Sequence, residues 1–333
     1  MSIPHFFEKK RWILELALGF FAIALPLGAF AEGPAGTVWV ADEGGGSVTV
    51  IDVATNKVAK TITGIMGPHN VQVAPDGKTV WVTSGHENEV VVIDAKSYKE
   101  LGRIPVGKMP AHVVLTPDGA MAYVSNEDGG TVTAIDTATM KVIATIPVGN
   151  GPHGVRVSPD GKEVYVAESM DTKLSVIDVA TNKKAADIEV GKKPVQVGFS
   201  PNGTLVYFSL NGENALGKVD VAERKLVGKV AVGRGPVQVY VNPDNRHVLV
   251  ANQGTKNAPD NTVSLIDTAT FAVAATVKTG KGPHGVAINS NGTIAYVTNM
   301  FANTVSVIDI MEQKVSATVR VGKRPNGISV SPF

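Results

Sequence analysis

The chain has 333 residues and contains no cysteine. A disulfide framework, a thiolate metal site, a cysteine nucleophile and a Cys-x-x-Cys-His haem attachment are therefore excluded. Lys and Arg total 31 against 30 Asp and Glu, so a dedicated nucleic-acid binder is not expected, because such proteins usually carry a basic excess.

The first 31 residues differ in composition from the rest of the chain. Residues 9–11 are basic, residues 16–25 are apolar, and residues 29–31 form an A-x-A cleavage site. This pattern predicts a secretory signal peptide over 1–31. An uncleaved anchor is the alternative, although a spanning helix needs about 20 apolar residues. We expect a periplasmic or secreted protein with no membrane span after cleavage.

A phrase close to G-P-H-G-V-x-V-x-P-D-G recurs through the remaining chain. Its seven anchoring prolines are Pro68, Pro110, Pro152, Pro194, Pro236, Pro283 and Pro325. They are 42 residues apart except between Pro236 and Pro283, where the spacing is 47. An internal repeat of this length is typical of a stacked or circular repeat architecture.

Each repeat contains four short apolar runs. In the unit that begins at Pro152 they are Val155–Ser158, Glu163–Ala167, Leu174–Ile177 and Lys184–Val190. β-branched residues and glycine-containing turns between the runs predict strands. Four strands in about 42 residues indicate a β-propeller blade, so we expect an all-β fold with four antiparallel strands per blade.

The two ends of the repeat region complete one another. The last unit stops after its first strand, and residues 37–62 carry the other three runs. A blade shared between the N- and C-terminal ends would close the ring and leave no open sheet edge. We therefore expect one seven-bladed β-propeller domain over 32–333, as a monomer.

The repeat motifs resemble those of the YVTN-type β-propeller repeat proteins. The motif stands intact at residues 296–299 and nearly so at 123–126, with Tyr165 and Tyr207 in the same column. The resemblance implies the propeller fold over the whole mature chain. It implies no single function, because proteins with these repeats include surface-layer proteins and periplasmic binding proteins, and related propellers carry copper, haem d1 or lactonase sites.

Seven aspartates recur at the end of the third strand of every blade: Asp52, Asp94, Asp136, Asp178, Asp220, Asp267 and Asp309. A residue that every blade shares is expected to serve the blade itself. We interpret these carboxylates as turn residues that accept backbone N–H bonds, because Asp commonly does so in turns.

Function is expected where the repeats differ, and they differ beside the anchoring proline. Four of the histidines lie one or two residues after it, at a predicted mouth of the central channel. The predicted ligand-binding residues on this face are His69, His112, His153, His284, Arg156, Asn126, Glu168, Asn252 and Asn299.

His69, His153 and His284 share one column in blades one, three and six. Three imidazoles spaced two, three and two blades apart could meet a metal on the channel axis, with His112 close by. Copper or another transition metal is the cofactor that such a site would hold.

Three functions remain open from the sequence. The first is non-catalytic binding of a protein, an envelope polymer or a small molecule through the histidine-bearing face. The second is binding of a metal or redox cofactor, such as copper or haem, at the histidines. The third is a lactonase-like hydrolase or lyase, which predicts a carboxylate or histidine pair with a strongly shifted pKa on this face.

Overall fold

The structure, a computed structural model, describes residues 36–331. Its 28 strands form seven four-stranded antiparallel sheets, and the only helical segments in the described range are two short 3-10 turns. The prediction of an all-β, seven-bladed propeller is confirmed. The predicted signal peptide lies outside the described residues. Within 36–331, no helix is long and apolar enough to cross a membrane.

Each blade runs from an inner strand outwards. Blades one to three comprise β4 (Pro68–Val73), β5 (Thr79–Ser84), β6 (Glu89–Asp94), β7 (Glu100–Pro105); β8 (Pro110–Leu115), β9 (Met121–Asn126), β10 (Thr131–Asp136), β11 (Lys141–Pro147); and β12 (Pro152–Val157), β13 (Glu163–Glu168), β14 (Lys173–Asp178), β15 (Lys183–Glu189). Blades four to six comprise β16 (Pro194–Phe199), β17 (Leu205–Leu210), β18 (Ala215–Asp220), β19 (Lys225–Ala231); β20 (Pro236–Val241), β21 (His247–Gly254), β22 (Pro259–Asp267), β23 (Ala272–Lys278); and β24 (Pro283–Ile288), β25 (Ile294–Asn299), β26 (Thr304–Asp309), β27 (Lys314–Arg320).

Blade seven is built from both ends of the described chain. Its inner strand is β28 (Pro325–Val330), followed outwards by β1 (Thr37–Asp42), β2 (Ser47–Asp52) and β3 (Lys57–Thr63). β28 pairs with β1 in antiparallel register, Val330 opposite Val38. The predicted ring closure is confirmed, and every inner strand has a neighbour on each side.

The inner strands begin three residues earlier than the alternation of apolar residues predicts. In blade three, Pro152 already pairs with Glu168, but the register then shifts before Val155 pairs with Val166. The same irregularity follows the anchoring proline in every blade. β-bulges re-aim side chains, and the two residues inside each irregularity are those that carry the histidines.

The YVTN motif has a distinct structural role at each of its positions. Tyr296 and Val297 are buried in the core between blades. The hydroxyl of Thr298 accepts the N–H of Gly285 at 2.7 Å and donates to the carbonyl of Asn326 in the next blade at 2.7 Å. Asn299 donates to two hydroxyls of its own blade. In blade six the motif therefore joins the blade to its neighbour and links the second strand of the blade to the third.

The repeated aspartates are turn residues, as predicted. Asp178 accepts the backbone N–H and the hydroxyl of Thr181 at 2.8 and 2.6 Å. These bonds favour the ionised form and lower the pKa of the Asp178 carboxyl. Each of the other six aspartates accepts the backbone N–H of the residue three positions on.

Candidate functional site

Four imidazoles gather near the start of the inner strands. The ring centroid of His69 lies 5.5 Å from that of His112, 5.1 Å from that of His153 and 6.4 Å from that of His284. The rings of His112 and His153 are 4.8 Å apart. Side chains from blades one, two, three and six therefore meet in one cluster, which we call the histidine cluster.

Three members of the histidine cluster are close enough to share one ion. One nitrogen of each of His69, His112 and His153 lies within 4.8 Å of those of the other two. The Nε2 atoms of His69 and His153 are 3.2 Å apart. Two nitrogens bound tetrahedrally to one zinc ion at 2.0–2.1 Å would be separated by about 3.3 Å. His112, rather than the predicted His284, completes the tightest trio.

Burial keeps these imidazoles neutral. His112 is 1% exposed, and His153 and His284 are each 8% exposed. Desolvation, together with the smaller effects of His153 and Arg324, lowers the pKa of His284 to about 3. The pKa values of His69 and His112 are also lowered well below their ordinary value, first by burial and then by His153. Neutral imidazole is the form that binds metal ions.

The hydrogen bonds on the far side of the rings set the position of each proton. His153 Nδ1 lies 3.1 Å from the carbonyl oxygen of Val195, so this nitrogen carries the proton and Nε2 keeps its lone pair. Asn326 Nδ2 lies 3.2 Å from His69 Nδ1 and also donates to Glu43. His69 Nδ1 is thus an acceptor, and Nε2–H of His69 donates to His153.

His112 and His284 are held in the same way by side-chain amides. Gln196 Nε2 lies 3.3 Å from His112 Nδ1, and Gln196 Oε1 accepts the N–H of Val197, which sets the direction of that amide. Gln253 Nε2 lies 2.9 Å from His284 Nδ1. His112 Nε2 is buried and has no hydrogen-bond partner among the described residues. Within the described part of the chain, this nitrogen is therefore available to a ligand.

Ser125 positions two of the histidines through their backbones. Its hydroxyl accepts the N–H of His112 at 3.0 Å and donates to the carbonyl of His153 at 2.5 Å. Sequence reasoning did not assign a site role to Ser125, Gln196, Gln253 or Asn326. The available signal was the motif itself, because Ser125 takes the place of the threonine in YVTN. Asn326 and Gln196 stand in the same two variable columns as the histidines.

Asn126, Asn252 and Asn299 do not present a surface to a ligand. All three are fully buried at the end of the second strand, and each donates to two hydroxyls on the third strand of its own blade. Gly107 packs so closely on Asn126 that a Cβ there would lie 2.6 Å from the amide carbon. Their role as corner residues follows from these contacts, and it differs from the ligand-binding role predicted for them.

Glu168 occupies the same position, at the end of the second strand, in blade three and is also fully buried. Neither carboxyl oxygen has a hydrogen-bond partner within residues 36–331, although the nearby Ser175 hydroxyl lowers the pKa of Glu168. Desolvation dominates and raises the pKa of Glu168 to about 7. Asp42, its counterpart in blade seven, has a pKa raised to about 6 by burial. Both of these carboxyls are enclosed within their blades.

Two cavities flank the histidine cluster. A groove of about 750 Å³ at the surface is lined by Gln253, Lys256, Lys281, Phe301 and Arg324 among others, and Gln253 connects it to His284. A cavity of about 380 Å³ occupies the channel towards the other end of the inner strands. Arg156 lines this second cavity, away from the first three residues of its strand.

Comparisons with known proteins agree with the architecture. The chain is similar to Kuenenia stuttgartiensis hydrazine synthase, with 25% identity, a TM-score of 0.73 and coverage of 81% of this chain and 91% of that one. It is similar in fold to a functionally unknown protein from Desulfotomaculum acetoxidans DSM 771, with 18% identity, a TM-score of 0.79 and coverage of 89% and 99%.

A third similar structure is the dihydro-heme d1 dehydrogenase NirN in complex with DHE, with 14% identity, a TM-score of 0.67 and coverage of 89% and 75%. The structures that are similar in fold to this chain thus include an enzyme and a protein that binds a haem-related ligand. A search among curated protein sequences found no significant match. The family model for the YNCE-like beta-propeller matches residues 28–122, 117–202 and 198–331. The chain therefore belongs to the YNCE-like beta-propeller family, a close relation of the YVTN-type repeat proteins that its motifs resemble.

Proposed function

We propose that this protein is a metal-binding propeller that holds one transition-metal ion at the histidine cluster. The observation that carries the proposal is the approach of three neutral imidazole nitrogens from three blades to within 4.8 Å of one another. His69, His112 and His153 supply the ligands, and His284 lies beside His69 as a fourth. This favours the second of the three functions that the sequence left open.

The donor set favours copper or zinc. Imidazole suits both ions, and the chain has no cysteine, so a metal site with thiolate ligands is excluded. Copper(II) binds such sites more tightly than zinc, following the general affinity order for divalent metals. A site of this kind serves a carrier or a redox centre, and the groove beside His284 gives access to it from the surface.

The hydrogen bonds of the metal-free site define what binding must change. A metal-bound imidazole normally donates its other N–H to an acceptor, and His153 already does so to Val195. His69 and His112 face amide N–H groups instead. Binding through their Nε2 atoms moves a proton to Nδ1 and turns the amide oxygen towards the ring. The Asn326 oxygen has no hydrogen-bond partner among residues 36–331 and can therefore accept such a bond.

Metal titration of the protein, purified without a histidine tag, tests this proposal. We expect one equivalent of copper(II), with electron paramagnetic resonance showing at least three nitrogen ligands. His153→Ala should weaken binding by at least 100-fold, because it removes the ligand that contacts both other rings. His86→Ala is the matched control, because His86 is an exposed histidine outside the histidine cluster.

Two results would overturn the proposal. One is binding of less than a tenth of an equivalent of copper(II) and of zinc(II). The other is equal affinity in wild type and His153→Ala. A comparison of His112→Ala with His284→Ala then identifies the third ligand, and we expect the larger loss with His112→Ala.

A further inference from the structure

The channel cavity below the histidine cluster contains a cation without a counter-ion. The cavity of about 380 Å³ is lined by the fourth residue after the anchoring proline in all seven blades: Gln72, Val114, Arg156, Gly198, Tyr240, Ala287 and Ser329. Arg156 is the one charged residue in the lining. No carboxylate of residues 36–331 lies within ion-pair distance of it.

Most of the hydrogen-bonding capacity of Arg156 is unused. A guanidinium has five N–H donors, and the bond from Nη1 to the adjacent carbonyl of Val155, at 3.2 Å, is its one partner in the described chain. Burial lowers the pKa of Arg156, which reflects the cost of holding this charge in the channel. Arg156 is only partly buried, and an anion in the cavity would supply the charge partner that residues 36–331 do not.

The other residues that line the cavity indicate which kind of anion fits it. The Tyr240 hydroxyl lies near enough to Arg156 to interact electrostatically and has no hydrogen-bond partner among residues 36–331. Gly198 and Ala287 leave room beside it, and Val114 and Ile328 supply apolar wall. We propose that the channel binds a small organic monocarboxylate, with its carboxylate on the Arg156 guanidinium and its apolar body against the aliphatic wall.

A carboxylate suits this site better than a bare inorganic ion does. The planar guanidinium matches a carboxylate through two parallel N–H···O bonds. The single positive charge balances one negative charge. The cavity has space for about a dozen waters at roughly 30 Å³ each, far more than a halide occupies.

The site is separate from the proposed metal site. Along an inner strand, the histidine positions lie two or three residues before that of Arg156, or roughly 7–10 Å at the usual rise of a strand. The proposal therefore does not depend on metal binding, and its test uses protein from which metal has been removed with a chelator.

Isothermal titration calorimetry of the full chain at neutral pH tests the proposal, with acetate, butyrate and benzoate as probes and benzamide as the neutral analogue of benzoate. We expect binding of butyrate or benzoate and none of benzamide. Arg156→Gln should weaken binding at least tenfold, and Arg156→Lys, which keeps the charge but loses the two-pronged geometry, should weaken it less. Arg246→Gln, an exposed arginine with the same charge change, should leave the affinity unchanged.

The proposal is wrong if none of the three carboxylates binds, or if Arg156→Gln binds them as wild type does. Binding of chloride or phosphate in preference to all three would also overturn it, because the channel would then take an inorganic anion. Thermal unfolding of each variant shows whether a loss of binding reflects loss of fold. Arg156→Lys keeps the test decisive if Arg156→Gln is unstable.

Discussion

The repeated positions and the channel positions of this propeller differ in whether their polar atoms have hydrogen-bond partners. Asp178 stands for a column that is aspartate in all seven blades, and Asn299 for one that is asparagine in three. The side chains of both make hydrogen bonds within their own blade. His112 and Arg156 differ from their counterparts in other blades and keep unpartnered nitrogens that face the channel. Repetition therefore marks what holds the fold, and departure from it marks what is free to bind.

Substitution of a repeated core aromatic should have the largest effect on stability. Tyr296 is 2% exposed between blades, and Tyr296→Ala should lower the free energy of unfolding by about 3–5 kcal/mol, since the truncation leaves a cavity in the core. Copper affinity should be unchanged under conditions where the variant is folded. Guanidinium unfolding and metal titration measure the two effects. A large loss of affinity in the folded variant would break the distinction between repeated and channel positions.

Ser125→Ala should affect both properties, because Ser125 belongs to the repeat but bridges two histidines. Losing its bonds to His112 and His153 should cost about 1–3 kcal/mol of stability and lower copper affinity about tenfold. Ser209→Ala is the matched control. Ser209 makes the same pair of bonds in blade four, to Gln196 and Val237, where no histidine backbone is held.

The two variants separate positioning from general stability. Ser209→Ala should lose similar stability and retain more copper affinity than Ser125→Ala, because Ser209 holds the backbone of Gln196 rather than that of a histidine ligand. Alanine already stands at the equivalent position in blades three, five and seven, as Ala167, Ala251 and Ala41, so both variants should fold. Equal copper affinities in Ser125→Ala and Ser209→Ala would contradict a positioning role for Ser125.

Glu168→Gln should produce the smallest change, and one that depends on pH. The pKa of Glu168 is about 7 in the folded protein against 4.5 for an ordinary glutamate, so the folded state holds the proton more tightly. Wild-type stability should therefore fall as pH rises from about 4.5 to 7. Glu168→Gln removes this dependence and should be more stable at pH 8, on the order of 1–3 kcal/mol.

Thermal unfolding at pH 4 and pH 8 measures this effect. Glu223→Gln, at an exposed site on a turn, is the control and should show no such gain. The prediction is contradicted if the stability that Glu168→Gln gains over wild type is the same at pH 8 as at pH 4. The buried carboxyl would then have a stabilising partner that its described contacts do not include.

The fold could be predicted from the sequence nearly in full. The spacing of the seven prolines, the four apolar runs per repeat and the complementary ends indicate seven blades and their closure, because these features are local and repeat. The turn role of the repeated aspartates follows in the same way from the residue three positions on. The predicted inner strands began late, since the bulge after each proline interrupts the alternation on which the prediction depends.

The site was predicted in outline, and its composition was not. The sequence by itself determined that four histidines lie in two neighbouring columns at one mouth of the channel. It also determined that Asn126, Asn252, Asn299 and Glu168 share one corner position, but not that this corner is sealed inside the blade.

Only the tertiary structure decided which imidazoles meet, because the distance between side chains on different inner strands depends on the bulges and on the radius of the ring. It brought His112 into the trio with His69 and His153. Among residues 36–331 it left His112 Nε2 without a partner and gave the Arg156 guanidinium a single hydrogen bond. Spacing along a chain sets which blade a residue belongs to. The packing of seven blades around one axis sets which of those residues touch.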